Sequence, residues 1–374
     1  MNYRRFETIP IDRKEIDQSE LNIEIKNKSN IFTWRGQFSP QFVNVMLKEY
    51  AVGIGRMLDP FMGSGTTALE AAILGIDVCG IELNPAAYYL ARMYELCNLN
   101  IEQRNVICKE IEEVLRDDYT GMSEFIGIKK VITSVLFMLN EENEKGLENQ
   151  WGKLKAIILS LPISNSKISI INGDSRKVKL EKNIYDFLFT SPPYINVYNY
   201  HQQYRNGVEA LGYNVLNIAV SEIGSNRKNR SNRFLTVIQY CIDITLLVKN
   251  ILPALTDNAR MIFVVGRSSK VLGISFSNSR LFYDILVRVF RCKLVLRQER
   301  YFKNKYGKII YEDILHFQCN KCNLNHEKEY YIEYAKKIAK QYISEKLQDI
   351  GEEHERYSLL LSAYVEVDKI LPSK

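Results

Sequence analysis

"RMLDPFMGSGTTALEAAILG", Arg56 to Gly75, decides how the chain is read. It opens as a short apolar strand, turns at Gly63 and Gly65, and continues with apolar positions at helical spacing that stop at Gly75. That is strand, tight turn, helix. Working outward, "DVCGIELN" (77–84) is a second strand ending on an acid, and "PAAYYLARMYELCNL" (85–99) is a helix with Pro85 at its start. Strands recur at "KISIINGDS" (167–175), "YDFLFT" (185–190), "ARMIFVVGRS" (259–268), "CKLVLRQ" (292–298) and "YEDILHF" (311–317), with "SRLFYDILVRVF" (279–290) as a helix among them. This alternation predicts an α/β fold, a doubly wound and mostly parallel sheet with helices on both faces.

With 374 residues the chain exceeds the roughly 250 to 300 at which one core stops growing, so one large domain with insertions is expected. Residues 30–100 plus 168–326 form the expected core. The helical patterns of 101–167 read as an insertion, the polar stretch 195–235 as a recognition segment, and 327–374 as a helical extension. Hydrophobic content of 46% and charged content of 25% are those of a globular protein. No continuous apolar run approaches the ~18 residues that would span a bilayer, and "MNYRRFETIPIDRKEID" lacks the apolar core of a signal peptide. The expectation is a cytoplasmic protein with no membrane partner. Seven cysteines without framework spacing suggest free thiols. The net charge of +6 permits a polyanionic partner without demanding one.

The glycine turn does not suit a triphosphate, because a phosphate loop needs Lys before its Ser/Thr and here Thr66 follows Gly65 directly. Glu82 ends the second strand, the usual station for a carboxylate that accepts from ribose hydroxyls. With Asp59 and Asp174, acids stand at the carboxyl ends of three successive strands, where open α/β sheets bind ligands. Each piece alone reads equally as a turn or a cap; the set favours a cationic nucleoside. The sulfonium of S-adenosylmethionine fits.

"DPFMGSGTT" (59–67), "GIELNP" (80–85), "INGD" (171–174) and "TSPPY" (190–194) resemble the ordered motifs of the amino-methylating DNA methyltransferases, which modify exocyclic amines of cytosine or adenine. The resemblance covers roughly residues 30 to 320. It implies a Rossmann-like, seven-stranded class I methyltransferase fold, S-adenosyl-L-methionine as cofactor, double-stranded DNA as partner, and a restriction-modification setting with a cognate endonuclease. It assigns Phe38, Ser39 and Pro40 to the segment closing over the methionine moiety. Asp59, Phe61, Gly63, Gly65, Thr66, Glu82 and Asp174 become cofactor-binding, and Ser191, Pro192, Pro193 and Tyr194 catalytic.

The chemistry of "SPPY" stands beside the resemblance. A base amine is a poor nucleophile because its lone pair is delocalised into the ring, and hydrogen-bond acceptors draw it toward tetrahedral geometry. Prolines have no N–H to compete, so the Ser191 hydroxyl and Pro192 carbonyl can face the amine while Tyr194 stacks on the extracted base. Strands one and four of a doubly wound sheet lie side by side, which would bring donor and acceptor ends together. Cytosine C5 chemistry is disfavoured, since it needs a cysteine after proline and none is present. In the family, Ser before the prolines leans toward N4 of cytosine, and Asp or Asn toward N6 of adenine. RNA nitrogen methylation and an idle nucleic-acid-binding protein of the same fold are the competing readings.

Beyond the corner, Tyr198, Arg227, Lys228, Arg230 and Arg233 lie among Asn and Ser, a composition suited to phosphates and base edges. "HFQCNKCNLNH" offers His316, Cys319, Cys322 and His326, but the candidates are crowded, and no metal is expected.

Overall fold

The computed structural model describes residues 5–117, 122–143, 146–195, 200–225, 229, 231–304, 307–322 and 324–373. Its strands are β1 (Arg56–Asp59), β2 (Asp77–Glu82), β3 (Ile168–Asn172), β4 (Tyr185–Thr190), β5 (Leu255–Gly266), β6 (Ser268–Val271), β7 (Ile274–Ser277), β8 (Lys293–Lys303) and β9 (Ile309–Gln318). Seven of them form one sheet in the order β3-β2-β1-β4-β5-β9-β8, and β6 and β7 form a separate hairpin. The β1/β2, β2/β3 and β4/β5 pairs are parallel, whereas β9 runs antiparallel to both β5 and β8. The fold is therefore the mostly parallel α/β sheet that the alternation of elements predicts. The chain divides into two compact units, one of Lys26–Gly173 and Asn199–Ile218, the other of Met1–Ile25, Asp174–Tyr198 and Ala219–Lys374.

The first unit is built on β1, β2 and β3; the near-continuous burial of β1 and β2 matches parallel strands covered on both faces, whereas β3, at the edge, alternates. The helix Thr66–Ile73 leaves the glycine turn directly and carries Glu70, fully buried, which takes Lys28 and the Asn44 amide (3.1 Å) as partners. A charge this deep is tolerable only when so answered. These bonds tie residue 28 and the helix Pro40–Tyr50 to the helix behind the turn. Helices Ile101–Arg116, Gly127–Asn143 and Leu147–Ser160 fill the segment between β2 and β3. The first is started by a capping box of Asn100 and Gln103. Its buried Arg104 donates to the carbonyls of Leu96 (2.9 Å) and Pro162 (2.8 Å), closing the segment on itself.

In the second unit, which holds β4, β5, β8 and β9, the helix Leu235–Ile251 packs on the helix Lys328–Ile350 and, through Tyr240 and Phe282, meets the helix Asn278–Asp284. The stretch Leu235–Ala254 is long and apolar enough to cross a membrane by composition, yet it is 89% buried inside the protein. Asp243 at its middle is wholly buried and bonds Arg176 (2.6 Å) and the Ser373 hydroxyl (2.6 Å), so it reads as a core helix. Burial pushes the Asp243 carboxyl up from its usual range, against the pull of Arg176 and Ser373. Along β8, the chain's amino-terminal segment supplies edge bonds: Asp12 N–H to the Arg297 carbonyl (2.7 Å), the Gln18 amide to the Glu299 carbonyl (2.8 Å), and Asn22 Oδ1 from Tyr301 N–H (2.9 Å). An otherwise open edge is covered. All seven cysteines are free thiols.

Candidate active site

In the first unit, the glycine turn is shaped by two residues with positive φ, Gly63 (57°) and Gly65 (90°). A Cβ on Gly65 would lie 2.8 Å from Ala91 Cα and 2.7 Å from the Tyr94 ring, so this glycine is required by packing as well as by conformation. Gly63 N–H donates to Glu82 Oε2 (2.8 Å), and Asn84 N–H to Glu82 Oε1 (2.7 Å), which orients the carboxylate at the rim of the turn. Asp59 is buried under the same turn and accepts from Phe61 N–H (3.0 Å). The segment ahead of the turn folds onto it. Thr66 donates to Asn30 (2.7 Å), Ser64 donates to Gln37 (2.8 Å), and the Asn30 amide donates to the Phe38 carbonyl (2.8 Å). Phe38 packs on Phe42 within the core, and Pro40 opens the helix Pro40–Tyr50. Between them, the Ser39 hydroxyl is buried without a hydrogen-bond partner among the described residues. A buried unsatisfied hydroxyl costs roughly 1–3 kcal/mol, and a ligand oxygen or nitrogen is a natural complement.

Asp174, in the second unit, is held differently from the other two acids. Its carboxylate takes Arg176 Nε (2.8 Å) and Nη2 (2.8 Å) side by side, with Lys177 at 3.2 Å. Burial opposes its charge, but the Arg176 guanidinium holds it below the ordinary carboxylate range. Arg176 thus answers Asp174 and Asp243 together, a pairing that the sequence reading did not contain.

The "SPPY" corner leaves β4 in the second unit, and its hydrogen bonds are sharply divided. The Ser191 hydroxyl donates its proton to the Val264 carbonyl (3.0 Å), so its oxygen is left to accept. Tyr240 donates to the Pro193 carbonyl (3.0 Å). The Pro192 carbonyl accepts no hydrogen bond from the described residues. Two acceptors, Ser191 Oγ and Pro192 O, therefore remain at the end of β4.

Tyr194 is fixed on several sides. Its ring lies over Gly266, where a Cβ would stand 2.5 Å from Cε2, and its hydroxyl donates to Glu312 Oε1. Glu312 is in turn paired across the β8/β9 ladder with Arg300 (2.6 Å). Gly224, at a φ of 77°, abuts the Tyr194 carbonyl, and Asn278 links the Ile195 N–H (3.4 Å) to the Gly266 carbonyl (2.9 Å). Burial, then the Glu312 charge, raises the Tyr194 phenol well above its usual value, so it stays protonated as a donor. The result is a rigid aromatic ring beside the unspent Pro192 carbonyl and the Ser191 hydroxyl, which also interacts with the Tyr194 hydroxyl. Gly266, Asn278, Tyr240, Arg300 and Glu312 are absent from the sequence-level set, because none is local to the motif it supports.

Of the recognition residues, Tyr198, Arg227, Lys228 and Arg230 lie outside the described residues, and Arg233 is exposed just before the helix Leu235–Ile251. His316 sits buried within β9 against Gln298 (3.0 Å), and among the described residues no three His, Cys, Asp or Glu groups are placed to hold a metal ion.

Residues 12–93 match the family model described as DNA methylase, of N6/N4 type. The type II methyltransferase M.BsoBI of Geobacillus stearothermophilus is 23% identical, over 50% of this chain and 53% of that protein. The type II methyltransferase M.MjaII of Methanocaldococcus jannaschii is 31% identical, over 38% of this chain and 28% of that protein. The chain thus spans about half the length of the first relative and less of the second. Among solved structures, a SAM-dependent methyltransferase from Methanosarcina mazei aligns with 70% of this chain and 91% of its own, at 11% identity and a TM-score of 0.34. The glycine turn and Glu82 fall inside the matched stretch, so residues 12–93 carry the pattern of the N6/N4 DNA methylases in a chain with type II methyltransferases among its homologues.

Proposed function

We propose that this chain is an S-adenosylmethionine-dependent DNA methyltransferase that modifies an exocyclic base amine, N4 of cytosine ahead of N6 of adenine, in a restriction-modification setting. The observation that carries the reading is the split at the "SPPY" corner: the Ser191 proton is spent on Val264, while Pro192 O is unspent. An enzyme that must accept hydrogen bonds from an amine needs acceptors without competing donors, and this corner offers two.

The residues suited to the cofactor are those of the first unit. Glu82 is oriented by backbone amides for ribose hydroxyls, Gly63 and Gly65 shape the turn, and the unpartnered Ser39 hydroxyl suits a ligand acceptor or donor. Phe61, Thr66, Asp59, Phe38 and Pro40 complete the surroundings, and Asp174 belongs to the set through the "INGD" resemblance. When bound, S-adenosylmethionine supplies an electrophilic methyl on a positively charged sulfur. Ser191 Oγ and Pro192 O take the two amine hydrogens, which withdraws the nitrogen lone pair from ring conjugation and aims it outward. Tyr194 supports the extracted base by stacking, worth about 1–3 kcal/mol. Positioning and electrostatics do the work, with no covalent enzyme intermediate.

Double-stranded DNA is the proposed substrate, with a cognate endonuclease as partner and the cytoplasm as location. Tyr198, Arg227, Lys228, Arg230 and Arg233 are proposed to contact the duplex. The N6/N4 family description embraces both bases; Ser191 in place of Asp or Asn favours cytosine. Incubation with methyl-labelled cofactor and mixed-sequence duplex, then nucleoside chromatography, tests this directly. N4-methylcytosine is expected. Label in N6-methyladenine would overturn the base assignment alone, and no transfer to any duplex would overturn the activity.

A further inference from the structure

β5 ends at Gly266, which pairs with Glu312, and after one more bond, Arg267 N–H to the Tyr311 carbonyl (2.9 Å), β8 and β9 run on without it. The pairs Tyr301↔Tyr311, Phe302↔Ile310 and Lys303↔Ile309 form a two-stranded ribbon projecting past the sheet. Both of its faces are partly exposed, with Arg267 over the Tyr311 ring and Arg300 over the Phe302 ring: Tyr301 is 37% exposed, Tyr311 43% and Ile309 44% on one face, and Phe302 38% on the other. Isolated ribbons of this kind are marginal in water, so exposed aromatic residues on one call for a partner.

The charge says which partner. Arg300, Lys303, Lys305 and Lys308 fall between residues 300 and 311, and no Asp or Glu does. Arg300 is committed to Glu312, whereas Lys303 and Lys308 are exposed and have no carboxylate partner among the described residues. Lys305 lies outside the described residues. A second copy of the chain would bring the same positive ribbon and be repelled. A phosphate backbone would not, and the major groove of B-DNA is wide enough to admit a two-stranded β-ribbon. The ribbon also starts at Glu312, the residue holding the Tyr194 hydroxyl, so whatever it grips is held next to the stacking platform.

We propose that the described part of the β8/β9 ribbon, residues 301–304 and 307–311, is a DNA-contacting arm that lies in a groove of the substrate duplex, with Lys303 and Lys308 on phosphates and Tyr301, Phe302 and Tyr311 against the groove wall. This rests on the DNA methyltransferase reading and adds a second contact surface to the 195–235 segment. The test compares the full chain with Lys303→Ala/Lys308→Ala, and separately with Phe302→Ser, measuring duplex affinity by fluorescence anisotropy from 50 to 300 mM salt. Each phosphate contact contributes about −0.9 to the log–log salt slope, so the double variant should lose about 1.8 from the slope. Its duplex affinity at low salt should fall at least tenfold, with cofactor affinity and melting temperature unchanged. Phe302→Ser should weaken binding without altering the slope. If the wild type methylates duplex DNA and the double variant keeps its slope and affinity, the arm is refuted while the activity stands. A wild type that methylates no duplex removes the activity itself and with it the arm's partner. Self-association lost in the variants, with DNA binding intact, would identify the ribbon as a protein interface and also overturn the proposal.

Discussion

Gly266→Ala should disable methyl transfer although Gly266 itself is not proposed to contact substrate. The added Cβ would lie 2.5 Å from Tyr194 Cε2 and 2.8 Å from both Cδ2 and Cζ. Carbon atoms at rest sit about 3.5–4.0 Å apart, so the ring must retreat by roughly 1 Å. Gly266 is not among the residues with positive φ, so alanine brings no backbone strain and the effect is steric alone. A retreat of that size also pulls the hydroxyl off Glu312. Misplacement by about 1 Å can cost on the order of a hundredfold in rate, and that is the loss expected. The assay is single-turnover methyl transfer with saturating labelled cofactor and duplex, alongside calorimetric cofactor affinity and thermal melting, both expected near wild type. Tyr194→Phe, which removes only the hydroxyl bond and leaves the ring on Gly266, should cost about 0.5–1.5 kcal/mol, a few-fold to roughly tenfold. In a Tyr194→Ala background the Gly266 change should add nothing, because the two act through one ring. A Gly266→Ala enzyme within twofold of wild type would refute the platform, and additivity with Tyr194→Ala would show that Gly266 matters for another reason.

Glu82→Ala should weaken cofactor binding by about tenfold or more, since hydrogen bonds to a charged acceptor are worth about 1.5–3 kcal/mol; unchanged affinity by calorimetry would unseat Glu82 as the ribose partner. Arg176→Met leaves the wholly buried Asp243 without its guanidinium and should cost about 3–5 kcal/mol of stability in urea unfolding. Adding Asp243→Asn should restore part of that loss, and a single variant within about 1 kcal/mol of wild type would show that the pair is not structural.

The strands were legible because of how they are buried. β1, β2, β4 and the second half of β5 are buried at nearly every position, so each is written as an apolar run closed by turn residues, and the run is recognisable without knowledge of its neighbours. The helix Leu235–Ile251 is the converse case. Nearly every position is buried, so it lacks the one-sided periodicity by which surface helices are recognised, and it follows a polar stretch that reads as loop. That stretch holds the short helices Arg205–Ala210 and Val215–Ser221, too brief to declare themselves. At the site, the "GSG" turn and "SPPY" are local motifs and could be seen; their supports are distant in sequence and could not. Glu312 did leave a trace. Glu312 and Asp313 interrupt an apolar strand, opposite Arg300 and Glu299 in "RQER", and paired charges inside a sheet strand mark a place where something is being held.

That holding has an energetic reason. Taking a base out of a duplex costs a few kcal/mol, while stacking on one aromatic ring returns about 1–3 kcal/mol. The two are close enough that a mobile tyrosine, which would have to be ordered at the moment of binding, could lose the difference to entropy. On the proposed function, a ring already seated on Gly266, tethered through its hydroxyl to Glu312 and fixed through its backbone by Asn278, would present its face before the base arrives. The same economy governs the acceptors: a Ser191 hydroxyl whose proton is committed to Val264 need not reorient when an amine approaches. On that proposal, preorganisation at this corner depends on β5 and β9 as much as on the motif, and disturbing Gly266 or Glu312 should be felt in the rate before it is felt in cofactor binding or in the fold.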